Sequence, residues 1–185
     1  MQGWKWTLSR ISLALGFLRR DRRPIVSMGD ALNDVVRVVL VLPLEADARQ
    51  RLLPQIFGFK AEFPDWKLDL LFLGGEAPVS ADQFKGIGIL RVGLEDITLF
   101  GRPRRDLLNR LRAQEYDLAI DLGMTSHPFV PWLLERTHVP LRMGVNDTSR
   151  ASDRLYNLVV RTREPDRVMT RLADTLAPIC KAGAV

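Results

Sequence analysis

The sequence predicts an α/β domain built on a doubly wound parallel sheet, and three observations lead there. The apolar runs "VVLVL", "LDLLFL" and "LAIDL" are continuous rather than alternating, as strands buried on both faces are. From residue 36 onward such runs alternate with amphipathic stretches of helical length, the pattern of successive βα units. The 185 residues are enough for one well-buried domain of this class and too few for two of ordinary size. Residues 1–24 read as an appendage, 35–178 as the domain and 179–185 as a tail.

The first element is the appendage, "MQGWKWTLSRISLALGFLRRDRRP". Trp4, Leu8, Ile11, Leu15 and Leu18 recur at helical spacing and share one face of a helix, with Ser9, Ser12 and Arg19 turned away. A tryptophan-bearing stripe, a cluster of Arg19, Arg20, Arg22 and Arg23 and a Pro24 stop are the features of a basic amphipathic helix lying on an anionic membrane surface. Trp6 belongs to the same interfacial set. Two other readings stay open: the stripe packs on this domain or a partner helix, or the segment is a cleaved organellar transit peptide. A secretory signal fits poorly, because the apolar stretch between Arg10 and Arg19 is short and ends in the basic cluster.

Charge supports separating this segment from the rest. The net +5 of the whole chain is already present in residues 1–23, leaving 21 basic and 21 acidic side chains elsewhere. A neutral body has no extended field for phosphates, which argues against nucleic acid as a partner. Cys180 is the single cysteine, so no internal disulfide forms, and with two histidines it has no zinc-ligand spacing. Neither a metal nor a cofactor is expected.

The body then follows in order. Strands are predicted at Val36 to Leu42, Lys67 to Leu73, Ile87 to Val92, Asp117 to Leu122, Leu141 to Gly144 and Leu158 to Arg161. Helices are predicted at Asp47 to Glu62, Arg104 to Gln114, Pro128 to Thr137 and Asp166 to Leu176. Ligands of such sheets sit beyond the carboxyl ends of the strands, which directs attention to Leu44 to Ala48, Gly74 and Gly75, Gly93 to Asp96, Gly123 to His127 and Val145 to Arg150. "LGG" at 73–75 reads as a plain turn, and "GIG" at 86–88 does not open a helix, so it fails the context of a dinucleotide fingerprint. Arg102, Arg104 and Arg105 beside Gly101 and Pro103 form a basic turn, either a solvated loop or a contact for phosphate or lipid head groups. Phe129, Trp132 and Arg136 at helical spacing read as core, with a partner surface as the alternative.

The order of motifs resembles glycosyltransferase family 9, the ADP-heptose:lipopolysaccharide heptosyltransferases, over about residues 36–177. "RVVLVL" and "FPDWKLDLL" look like the family's first two strands, and "LRAQEYDLAIDLG" is similar to its fourth-strand signature. "VPLRMGVND" and "EPDRVMTRLADTL" resemble the next strand and the helix leading out of its first domain. The resemblance implies a Rossmann-like, GT-B-type N-terminal domain, a bacterial source and cell-envelope polysaccharide chemistry. It also implies a second domain for the nucleotide-sugar donor, which the residues present do not match.

Two departures from the family pattern shape the functional expectation. The family's first loop is Ser/Gly-rich and closes with Gly-Asp, the aspartate being its proposed general base; six residues before Pro54 that place holds Ala48, and Asp47 stands where the glycine would be. Asp47, about 100° away around a helix, is a weak catalytic candidate and reads better as a helix N-cap. After Asp121, where the family has Gln-Gly and a basic residue, this chain has Gly123, Met124 and His127. Acceptor-side candidates are therefore Gly123, His127 and Asn146, and His127 before Pro128 also reads as a turn residue.

The leading expectation is a non-catalytic glycosyltransferase-like domain, peripheral at the cytoplasmic face of the inner membrane and acting as a binding or scaffolding subunit. Its expected partners are that membrane surface and a protein. The alternatives are the acceptor half of a split glycosyltransferase, and a small-molecule-binding module.

Overall fold

The computed structural model describes residues 28–74, 84–99, 101–123, 129–145, 156–162 and 164–182. The interfacial set Trp4, Trp6, Leu8, Ile11, Leu15, Leu18, Arg19, Arg20, Arg22 and Arg23, and the candidates His127 and Asn146, lie outside the described residues.

The elements run α1 (Met28–Asn33), β1 (Arg37–Val41), α2 (Ala46–Glu62), β2 (Lys67–Leu73), β3 (Gly88–Val92), α3 (Arg105–Arg112), β4 (Leu118–Asp121), α4 (Phe129–Thr137), β5 (Leu141–Val145), β6 (Leu158–Val160) and α5 (Val168–Ala182). All strand pairings are parallel, in the order β3-β2-β1-β4-β5-β6. The chain winds outward from β1 to β3, crosses to β4 and winds outward again to β6. This is the doubly wound, Rossmann-like arrangement.

Each strand serves two cores because alternate side chains leave opposite faces. Val38, Leu40 and Leu42 join Leu68, Leu70, Phe72, Leu118 and Ile120 under α1, α2 and α5. Val39 and Val41 join Leu71, Leu73 and Ala119 under α3 and α4. Both faces are dry, which is why the runs read as continuous.

The predicted strands and helices stand where the periodicity places them, with four differences. Helix α1 was not expected; six residues long, it is held by Leu32, 1% exposed, and by Met28 and Ala31 against the core, since so short a helix depends on tertiary packing. Strand β1 starts at Arg37 because the Asp117 carboxylate accepts the N–H groups of Val36 and Arg37 at 2.9 and 2.8 Å, ending the ladder there. The last helix opens with a 3₁₀ turn, Pro165–Arg167, before α5 begins at Val168. Residues 179–182, read as tail, continue α5, and Ile179 and Cys180 pack on the core.

Candidate functional site

The switch point of the sheet lies between β1 and β4, and their carboxyl ends carry the loops Leu42 to Glu45 and Leu122 to Gly123. Asp121 ends β4 and is 8% exposed. One carboxylate oxygen accepts the Gly123 N–H at 2.9 Å, and the other accepts the Tyr156 hydroxyl at 2.5 Å. A buried carboxylate needs such partners, because an uncompensated one costs several kcal/mol, roughly, in a protein interior.

Tyr156 reaches Asp121 across β5, and Gly144 makes the crossing possible. A Cβ at Gly144 would lie 2.8 Å from Tyr156 Cδ2. A second lock of the same kind joins β2 to the residue entering β4. Asp69 accepts the Tyr116 hydroxyl at 2.5 Å, and its carboxylate lies where a Cβ at Gly88 would stand, 1.9 Å from Asp69 Oδ1. Burial first, then the hydrogen bond to Asp69, raises the Tyr116 phenol above its ordinary range.

Two arginines are buried in the domain, and Arg49 lies at this edge. Arg49 of α2, 8% exposed, donates to the Pro43 carbonyl at 3.3 Å and lies 6.0 Å from the Phe72 ring centroid, fixing the end of β1 to α2. Arg142 of β5 is 6% exposed, and its backbone N–H donates to Asn157 Oδ1 at 2.8 Å.

The crossover from β1 to α2 is built for packing. Pro43 is buried, Leu44 packs into the core shared by β1 and β2, and Leu44 Cδ2 lies 3.7 Å from where a Cβ on Gly74 would be. The part of the crevice bounded by Pro43, Leu44, Glu45, Asp121, Gly123 and Val130 has a volume of about 10 Å³, room for one water. Gly74 is the turn residue its sequence predicts, with φ 77°.

Of the sequence candidates, Gly123 sits in this crevice and supplies an N–H to Asp121. Asp47 does not cap α2. Glu45, in extended conformation (φ −68°, ψ 122°), is the N-cap, because the Arg49 N–H to Glu45 carbonyl bond of 3.0 Å closes the first turn two residues earlier than a cap at Asp47 would. Asp47 is an exposed residue of that first turn, and Ala48 beside it is half-buried. Phe129 is core as read, 3% exposed, while Trp132 is half-buried beneath Arg102, whose guanidinium lies 4.4 Å from its ring centroid. Sequence reasoning passed over Asp121, Tyr156 and Arg49 as site residues. The one available signal was a carboxylate inside the apolar run "LAIDL", which has to be paired if that run is buried.

Both oxygens of Asp121 are held by groups of the protein itself, so it organises the loop ends. Among the described residues Glu45 and Asp47 are exposed carboxylates at the start of α2, a place where acids are stabilising. Among the described residues no group of three His, Cys, Asp or Glu side chains can hold a metal ion, and no helix is long and apolar enough to cross a membrane.

Fold and edge together define an α/β, Rossmann-like domain whose first crossover is closed by apolar packing. No protein-family model and no curated protein matches the chain, so the resemblance to glycosyltransferase family 9 rests on the order of its motifs.

Proposed function

We propose that this chain is a non-catalytic, glycosyltransferase-like domain acting as a binding or scaffolding subunit, peripheral at the cytoplasmic face of the inner membrane. One observation carries the reading: the crossover from β1 to α2. Where the family pattern has a Ser/Gly-rich turn ending in Gly-Asp, this crossover buries Pro43, packs Leu44 inward and leaves Ala48 at the aspartate's place. A methyl group takes no proton, and general-base help of that kind is worth about 10² to 10⁴ in rate. The exposed Asp47 further opposes the approach of a nucleotide's phosphates to the start of α2.

The test is sugar transfer by the purified full chain from nucleotide-sugar donors, ADP-heptose among them, to a lipopolysaccharide core acceptor. The expected result is no transfer above the protein-free blank, and detectable turnover overturns the reading.

The exposure of Asp47 at the start of α2 favours one alternative, a split enzyme in which another polypeptide supplies the donor half. In that case Asp47→Ala abolishes the activity of the reconstituted pair, whereas a scaffold is indifferent to the change.

A further inference from the structure

The connection from β3 to α3 is a structured loop. Asp96 closes its 3₁₀ turn, Leu94–Asp96, by accepting the Gly93 N–H at 3.0 Å, and pairs with Arg110 at 2.6 Å. Ile97 then bridges antiparallel to Pro103, and the Thr98 N–H donates to the Arg102 carbonyl at 2.8 Å. Gly101, at φ 74°, lets the turn close.

This frame presents Leu94 at 85% and Leu99 at 75% exposure, the two most exposed large apolar side chains among the described residues. Beside them Arg102, Arg104 and Arg105 are exposed, and none pairs with a carboxylate among the described residues. From Leu94 to Arg105 the sequence holds these three arginines against two acids, Glu95, which is exposed, and Asp96, which is paired with Arg110. Arg104 and Arg105 occupy the N-cap and first position of α3, the positive end of a helix, where carboxylates are stabilising and cations are not. Arg102 lies over the Trp132 ring at 4.4 Å, whereas the bare leucines and the cations Arg104 and Arg105 at the helix start do not help the isolated domain. A surface that breaks local rules in two ways at one place is a candidate for function.

We propose that the Leu94–Arg105 loop is a membrane-contact element of the body, with Leu94 and Leu99 entering the interface of an anionic bilayer and Arg102, Arg104 and Arg105 meeting lipid phosphates. The proposal builds on the membrane-surface reading above and adds a contact separate from residues 1–23. Charge complementarity selects the occupant: arginines with no carboxylate partner among the described residues, beside apolar side chains, match an anionic interface, and each contributes to attraction by such a surface.

The test uses the full chain and sedimentation with vesicles of phosphatidylglycerol in phosphatidylcholine. Leu94→Gln with Leu99→Gln, and separately Arg102→Gln with Arg104→Gln and Arg105→Gln, are compared with a variant carrying glutamine at positions 19, 20, 22 and 23. Leu99→Cys in a Cys180→Ser background carries an environment-sensitive dye. The expected result is a loss of partitioning of about tenfold or more for the triple arginine variant, a measurable loss for the leucine pair, and a blue shift of the dye on anionic vesicles. Because Leu94 and Leu99 are exposed, unchanged thermal midpoints separate lost binding from lost fold. Loop variants that partition as the parent does, with a silent dye while the tail variant dissociates, overturn the loop and leave the membrane reading standing. A parent chain that ignores anionic vesicles overturns both.

Discussion

At the scale of single residues, the site depends on contacts made over long sequence separations. Tyr156 and Asp121 are 35 positions apart, and the hydrogen bond between them is made with the tyrosine ring packed against Gly144. Tyr156→Phe removes one donor from a buried carboxylate and is expected to cost about 1–3 kcal/mol in urea denaturation. Gly144→Ala should cost at least as much by displacing the ring, and a Gly144→Ala variant as stable as the parent would show that the ring does not hold the site. Tyr116 makes a pH-dependent contribution of known sign. Its phenol is raised above the ordinary 10.0 by burial and by Asp69, so its stabilisation is complete below pH 10.0 and is lost progressively as the pH rises toward the folded value. The parent should therefore lose stability above pH 10 more steeply than Tyr116→Phe, measured as urea midpoints across that range.

At the scale of elements, α5 and the first crossover matter most. Leu172 of α5 is 0% exposed between α5 and the sheet, and Leu172→Ala is expected to cost about 2–5 kcal/mol. Removing residues 179–185 strips Ile179 and Cys180 from the core and should lower stability by about 1–2 kcal/mol, read by thermal or urea unfolding. Burial also raises the Cys180 thiol, so a disulfide reagent at mildly alkaline pH should label it more slowly in the folded chain than in the urea-unfolded one. The helix was legible in "EPDRVMTRLADTL" through its spacing of Val168, Leu172 and Leu176. Its C-terminal turn was not, because Pro178 reads as a stop, whereas packing of Ile179 and Cys180 carries the helix past it. In the crossover the absence of glycines was plain from the sequence. That Glu45 rather than Asp47 would cap α2 was not, since both are acids and one backbone hydrogen bond decides between them.

At the scale of the whole molecule, charge and fold divide the chain. Beyond residue 23 the chain is charge-balanced, with helices on both faces of the sheet among the described residues, and the net positive charge belongs to the first 23 residues. Removing residues 2–23 should move the protein from the membrane pellet toward the supernatant at low salt, and unchanged partitioning would remove the tail from the membrane reading. The loop Leu94–Arg105 predicts that a residual, salt-sensitive fraction stays with anionic membranes after that deletion.

The sequence by itself determined the class of fold, the place of every strand and the absence of glycines from the first crossover. Burial on both faces writes itself as a continuous apolar run, and a missing glycine or aspartate is visible where it is missing. Only the tertiary structure decided the rest: the order of strands, the pairing of Asp121 with Tyr156 and of Asp69 with Tyr116, the burial of Arg49 and Arg142, and the exposure of Leu94 and Leu99. The reason is physical. Periodicity is a local property of the chain, whereas a hydrogen bond across β5, a glycine under a tyrosine ring and a leucine left uncovered depend on register between segments that sequence spacing does not encode.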